Sequence, residues 1–124
     1  MTIAYVCVLI AVFIPLVFAG YAKFASGGYD NRAPRDFLEK LEGKPRRAHY
    51  VQMNSYEVFP PFAAAVIIAH YAAAAQTHIN IFAVLFIIFR VIYGIAYVAD
   101  QPTLRTLMWF GAFACTIGLF IISF

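Results

Sequence analysis

Charge is the scarcest thing in this chain. Its 124 residues include six acids and nine Lys or Arg, 12% charged in all, where a soluble domain averages about 25%. That excludes an ordinary water-facing surface, and the 64% hydrophobic content assigns the chain to a membrane. Cysteine is scarce as well. Cys7 and Cys115 both stand in apolar runs without metal-ligand spacing, which leaves no disulfide framework and two small hydrophobes. His49 and His70 lack metal spacing too, so no metal is expected. No Lys or Arg precedes the first apolar run, whereas Lys23 follows it. Cleaved signal peptides carry their positive charge ahead of the apolar region, so this run is expected to stay as an anchor.

Apolar runs fill most of the chain. At ~20 residues per span, the pattern predicts an all-α membrane protein, a four-transmembrane-helix bundle in one domain, 1–124. The helices are expected at about 3–22, 46–75, 79–99 and 103–124, with a loop at about 23–45. Pro15, Pro60 and Pro61 should bend their helices. Pro34 to Leu41 reads as a short amphipathic turn or helix at the interface. Gln76–Asn80 reads as an outer loop, Asp100-Gln101-Pro102 as a tight turn, and Ala72 to Ala75 as a run that permits close helix packing.

The few charges are clustered. Lys23, Arg32, Arg35, Lys40, Lys44, Arg46 and Arg47 share the first loop with Asp30, Asp36, Glu39 and Glu42, so the net charge of +3 belongs to that segment. Basic loops stay in the cytoplasm. This one is expected there, with both termini outside, and its basic balance serves topology and lipid headgroups, with no nucleic acid partner.

Against this background, ionisable residues inside the apolar runs stand out, because each costs roughly 2.5 kcal/mol or more at membrane depth. Arg47, Tyr50, Asn54 and Glu57 are spaced by three, four and three positions, which at 100° per residue places them within about 80° on one helix face. Arg90, Tyr93 and Tyr97 form a second stripe, and Arg105 opens the last helix on the same side. The two stripes could line one cavity open to the cytoplasm. Arginine forks fit carboxylates, Glu57 fits an ammonium, and Asn54 and the tyrosines donate and accept. A small zwitterionic peptide with two carboxylates and one amine matches that inventory, and an arginine near a thiol favours its thiolate. Each residue also has a plainer role open to it. Arg47 can be a snorkelling anchor, Asn54 interhelical glue, Tyr93 and Tyr97 an aromatic belt, Arg105 a positive-inside residue, and Arg90 with Glu57 a buried ion pair.

Together these residues resemble the MAPEG family, the membrane-associated proteins of eicosanoid and glutathione metabolism. Arg47-Ala48, Asn54-Ser55-Tyr56-Glu57 and Phe59-Pro60 are similar to its R-A…N-x-x-E…F-P signature. Arg90-x-x-Tyr93-x-x-x-Tyr97 and Leu104-Arg105-Thr106 are similar to its later motifs, so the resemblance runs over nearly the whole chain, as a short bacterial-type member. It implies a homotrimer with cytoplasm-facing sites between subunits, and glutathione as co-substrate. It implies that Asn54 and Glu57 hold glutathione, with Glu57 on the amine, that Arg47, Arg90, Tyr93 and Tyr97 bind its backbone and carboxylates, and that Arg105 is catalytic, favouring the thiolate. Glutathione-using members commonly carry an arginine four residues before the asparagine, where this chain has Tyr50. The implied activity is conjugation of glutathione, or a similar thiol, to lipophilic small-molecule electrophiles, or reduction of lipid hydroperoxides. The implied location is multi-pass in a membrane, the bacterial inner membrane. Two alternatives stand beside it: a small four-helix proton-coupled transporter built on Glu57, and a non-catalytic trimeric scaffold.

Overall fold

Long apolar segments must satisfy their backbone groups internally when lipid surrounds them, and the described residues of this chain do so with helices. The computed structural model describes residues 2–124. Its elements are α1 (Ile3–Ala25), α2 (Pro34–Glu39), α3 (Gly43–Tyr71), α4 (Gln76–Val98) and α5 (Pro102–Ile121). α1 packs on α3 and α4 on α5, and the two pairs join along α3–α4 and α1–α4. α1, α4 and α5 are each long and apolar enough to cross a membrane. The chain is an integral membrane protein. α3 has 29 residues but is more polar, because its N-terminal half carries the charged and amide side chains considered below.

The seams between helices are made of small residues. Ala4, Cys7 and Ala11 of α1 meet Ala65, Val66 and Ala69 of α3, Ile79 and Ala83 of α4, and Ala112 and Cys115 of α5. Such residues let backbones approach closely where the hydrophobic effect offers little drive. Phe62 and Phe86 stack flat at the centre, 3.7 Å between ring centroids and 3° between planes. Large apolar side chains such as Leu9, Phe13, Val17, Ile88, Ile95 and Phe110 point outward, as a lipid-facing surface requires.

Close approach is tightest at glycines that seat phenylalanines. A Cβ on Gly94 would stand 2.2 Å from Cζ of Phe18, and one on Gly118 2.6 Å from Cε1 of Phe82. Gly94→Val is therefore expected to push α1 off α4 and cost about 1–3 kcal/mol, read as a lower unfolding midpoint in detergent. An unchanged midpoint would mean that Phe18 swings into lipid without loss.

The helix ends differ from the sequence expectation for local reasons. α3 stops at Tyr71, not near Ala75. Ala73 takes φ of +57°, and the N–H of Ala74 bonds the carbonyl of Ala69 at 3.1 Å, which closes the end in a Schellman pattern. Ala72–Ala75 is thus the turn itself. The expected loop at Gln76–Asn80 is instead the first turn of α4, where Asn80 Oδ1 accepts hydrogen bonds from Gln76 Nε2 at 2.8 Å and from the Ala4 amide at 3.2 Å. At the opposite end of the bundle, Asp100 takes φ of +60° and Gln101 N–H bonds the Ala96 carbonyl at 2.8 Å. Pro102 then opens α5, where a missing N–H costs nothing. This tight turn holds Arg105 close to the end of α4.

Candidate functional site

The polar residues of α3, α4 and α5 converge at the end of the bundle that carries the α4–α5 turn. Arg90 is the anchor. It is 2% exposed, and its Nη2 donates to Asn54 Oδ1 at 2.7 Å and, at a longer 3.5 Å, to Ser55 Oγ. Ser55 Oγ in turn donates to the Val51 carbonyl at 2.7 Å. The guanidinium carbon lies 4.1 Å from the ring centre of Tyr93. Arg90 Nη1 is buried with no hydrogen-bond partner among the described residues. The ion pair with Glu57 that sequence reasoning left open is not what holds this arginine. Its partners are neutral, and one of its donors is unspent.

From Arg90 a ladder of tyrosines and arginines climbs toward the bundle end. Tyr93 meets Tyr97 edge to face at 5.7 Å. Arg105 lies over Tyr97, 4.5 Å from guanidinium carbon to ring centre. Tyr50 lies 6.3 Å from Tyr97, and Tyr50 Oη accepts a hydrogen bond from Arg46 Nε at 2.7 Å. A guanidinium resting on an aromatic face keeps its in-plane N–H donors free for a carboxylate. Three cations, on Arg46, Arg90 and Arg105, are held in this way.

Asn54, Glu57 and Arg90 share the lining of one cleft of about 210 Å³, whose remaining walls, from α3, α4 and α5, are apolar apart from Thr116. Glu57 is exposed. Two prolines follow it in the helix, Pro60 and Pro61. Neither has an N–H, so the carbonyls of Tyr56 and Glu57 lose their usual helical donors. Beside the Glu57 carboxylate, those carbonyls make the spot favourable for an ammonium.

Asn54, Arg90, Tyr93, Tyr97 and Arg105 are thus brought together, with Glu57 on the same cleft. Arg47 is placed differently. Its Nε donates to the Val98 carbonyl at 3.1 Å, satisfying an orphan acceptor at the end of α4, and it does not line the cleft. Sequence reasoning places Arg46 in the first loop and not among the site residues, although the i, i+4 spacing of Arg46 and Tyr50 signals the pair. It also passed over Trp109 and Phe113, which line the apolar part of the cleft. Their spacing from Arg105, four and eight positions, is the signal that finds them.

Comparison with known proteins bears on what this arrangement does. The model of the MAPEG family matches residues 1–124, the whole chain. No curated protein and no solved structure matches it.

Proposed function

The chain belongs to the MAPEG family, and on that premise we propose that it is a membrane-bound enzyme that binds glutathione, or a closely similar thiol, and transfers it to a lipophilic electrophile or uses it to reduce a lipid hydroperoxide. The observation that carries this reading is Arg90, a buried cation tied to Asn54 with a donor to spare, on a cleft that Glu57 shares. A tripeptide with two carboxylates and one ammonium uses what the cleft and ladder offer. Arg90 and Arg46 take carboxylates, with Tyr50 steering Arg46 to the place where many relatives carry an arginine. Glu57 and the freed carbonyls take the ammonium. Asn54, Tyr93 and Tyr97 orient the backbone, and Arg47, tied to the Val98 carbonyl, adds its charge at the bundle end. Arg105, in the first turn of α5, adds its charge to the helix N-terminus and favours the thiolate, the nucleophilic form.

The assembly follows from Glu57. A carboxylate exposed on the outer face of α3 would be costly against lipid, and a second copy of the chain covers it. In this reading α3 is the fourth span, the first loop and the α4–α5 turn face the cytoplasm, and three subunits share sites at their borders. Glu57→Gln keeps the shape and removes the charge, so the trimer is expected to persist in native mass spectrometry while glutathione binding weakens about tenfold or more, the range for a charge-assisted contact. A stable monomer of the unsubstituted chain, or full-strength binding by Glu57→Gln, would contradict the reading.

A further inference from the structure

A separate groove lies where α1 and α4 finish and α3 begins. Val17 and Phe18 of α1 form one wall, and Ile95 and Val98 of α4 form the other. It encloses about 390 Å³ and shares no lining residue with the Arg90 cleft. Phe18 is fixed there by its close seat on Gly94. The lining is apolar except for Tyr21 and Lys44, and both of these residues are exposed. Each wall spans four positions, Val17 to Tyr21 and Ile95 to Ala99, about 6 Å at 1.5 Å per residue. That depth seats the head of a long molecule and not its length. Charge decides what the head is. The C-terminus of α4 opens here with partial negative charge, but Arg47 Nε donates to the Val98 carbonyl at 3.1 Å and offsets it. Within three residues of the lining along the chain, four cations, Lys23, Lys44, Arg46 and Arg47, stand against two acids, Glu42 and Asp100. The surplus favours an anion. Lys44 follows the basic loop at the end of a membrane-spanning α1, the level where hydrocarbon gives way to water.

We propose that this groove is a seat for one anionic phospholipid. Its phosphate takes the Lys44 ammonium and the Tyr21 hydroxyl. The first methylenes of one acyl chain lie between α1 and α4 against Val17 and Ile95, which are 68% and 60% exposed, and the rest of the chain stays in the bilayer. An apolar wall that ends in an ammonium at the membrane surface matches a phosphate joined to acyl chains. The lipid bridges the ends of three helices, and it does so without any group that the Arg90 cleft uses.

The full chain, stripped of lipid in detergent, can be titrated with phosphatidylglycerol or phosphatidylcholine and read by native mass spectrometry. One phosphatidylglycerol per chain is expected to bind saturably, about fivefold tighter than phosphatidylcholine, the factor that one cation near a membrane surface supplies. Lys44→Gln should remove that preference by weakening phosphatidylglycerol about fivefold. Ala99→Leu puts a branched side chain into the groove and should abolish saturable binding of both lipids. Both positions are exposed, so neither substitution reaches the core. Equal, non-saturating adducts of the two lipids, unchanged in both variants, would mean ordinary boundary lipid and overturn the proposal. Loss of the oligomer in Ala99→Leu would also overturn it, because the groove would then be a border between copies of the chain. No thiol is present, so failure here with glutathione binding intact leaves the proposed function standing.

Discussion

Arg90→Met is expected to leave the ligand-free protein at least as stable as the unsubstituted chain while weakening glutathione binding by about a hundredfold, ~2.7 kcal/mol. Arg90 is almost fully buried, its hydrogen bonds go to neutral Asn54 and Ser55, and Nη1 has no partner among the described residues. A cation in that position carries a desolvation penalty that no carboxylate offsets. Replacing buried charges with apolar side chains of similar volume is often neutral or stabilising, by about 1–4 kcal/mol. The substitution does leave Asn54 Oδ1 without its donor, a loss of about 1 kcal/mol, but Asn54 lines the cleft and is only half-buried, so water can replace it. Thermal unfolding in detergent and isothermal titration check the two halves together. A fall of several degrees in the unfolding midpoint would make Arg90 a structural fastener, and the functional argument built on it would fail.

Arg105→Ala is expected to act on the thiol and not on its binding. Arg105 sits in the first turn of α5 with its guanidinium on Tyr97, and no core residue depends on it. If it lowers the bound thiol's pKa by about two units from the free value near 8.5, its loss removes about 2.7 kcal/mol of thiolate stabilisation and slows transfer at neutral pH by about 25-fold, the fall in the thiolate fraction. The sign follows from the charge. A cation stabilises the anionic form, so the thiolate absorbance of the complex, followed in a pH titration, should move to higher pH in the variant, and transfer should recover as pH rises. An unchanged titration would leave Arg105 as a topology anchor.

Much of this site could be read in the sequence because its residues sit at helical spacings on segments where charge is rare. Asn54 with Glu57, and Arg90 with Tyr93 and Tyr97, needed only the period of the helix. The role of Arg47 was not legible, because the Val98 carbonyl that it satisfies belongs to another helix. The same limit hid Ser55, whose hydroxyl meets Arg90 only across the α3–α4 seam. The turn between α3 and α4 was misplaced because alanines carry no turn signal. Ala73 enters the left-handed region only when the Ala74–Ala69 bond closes the helix end. The apolar part of the cleft around Trp109 was missed for a different reason. Apolar residues at helical spacing on a membrane helix read as lipid contacts until the neighbouring helices are in place.

The central claim is that the converging residues form a glutathione site, and the most direct measurement is a calorimetric titration of the detergent-purified chain with glutathione. The account predicts saturable binding with a dissociation constant at or below about 1 mM, the upper range of ordinary substrate affinities, and its loss in Arg90→Met. Absence of saturable binding up to well above that concentration, with the protein folded, would contradict it.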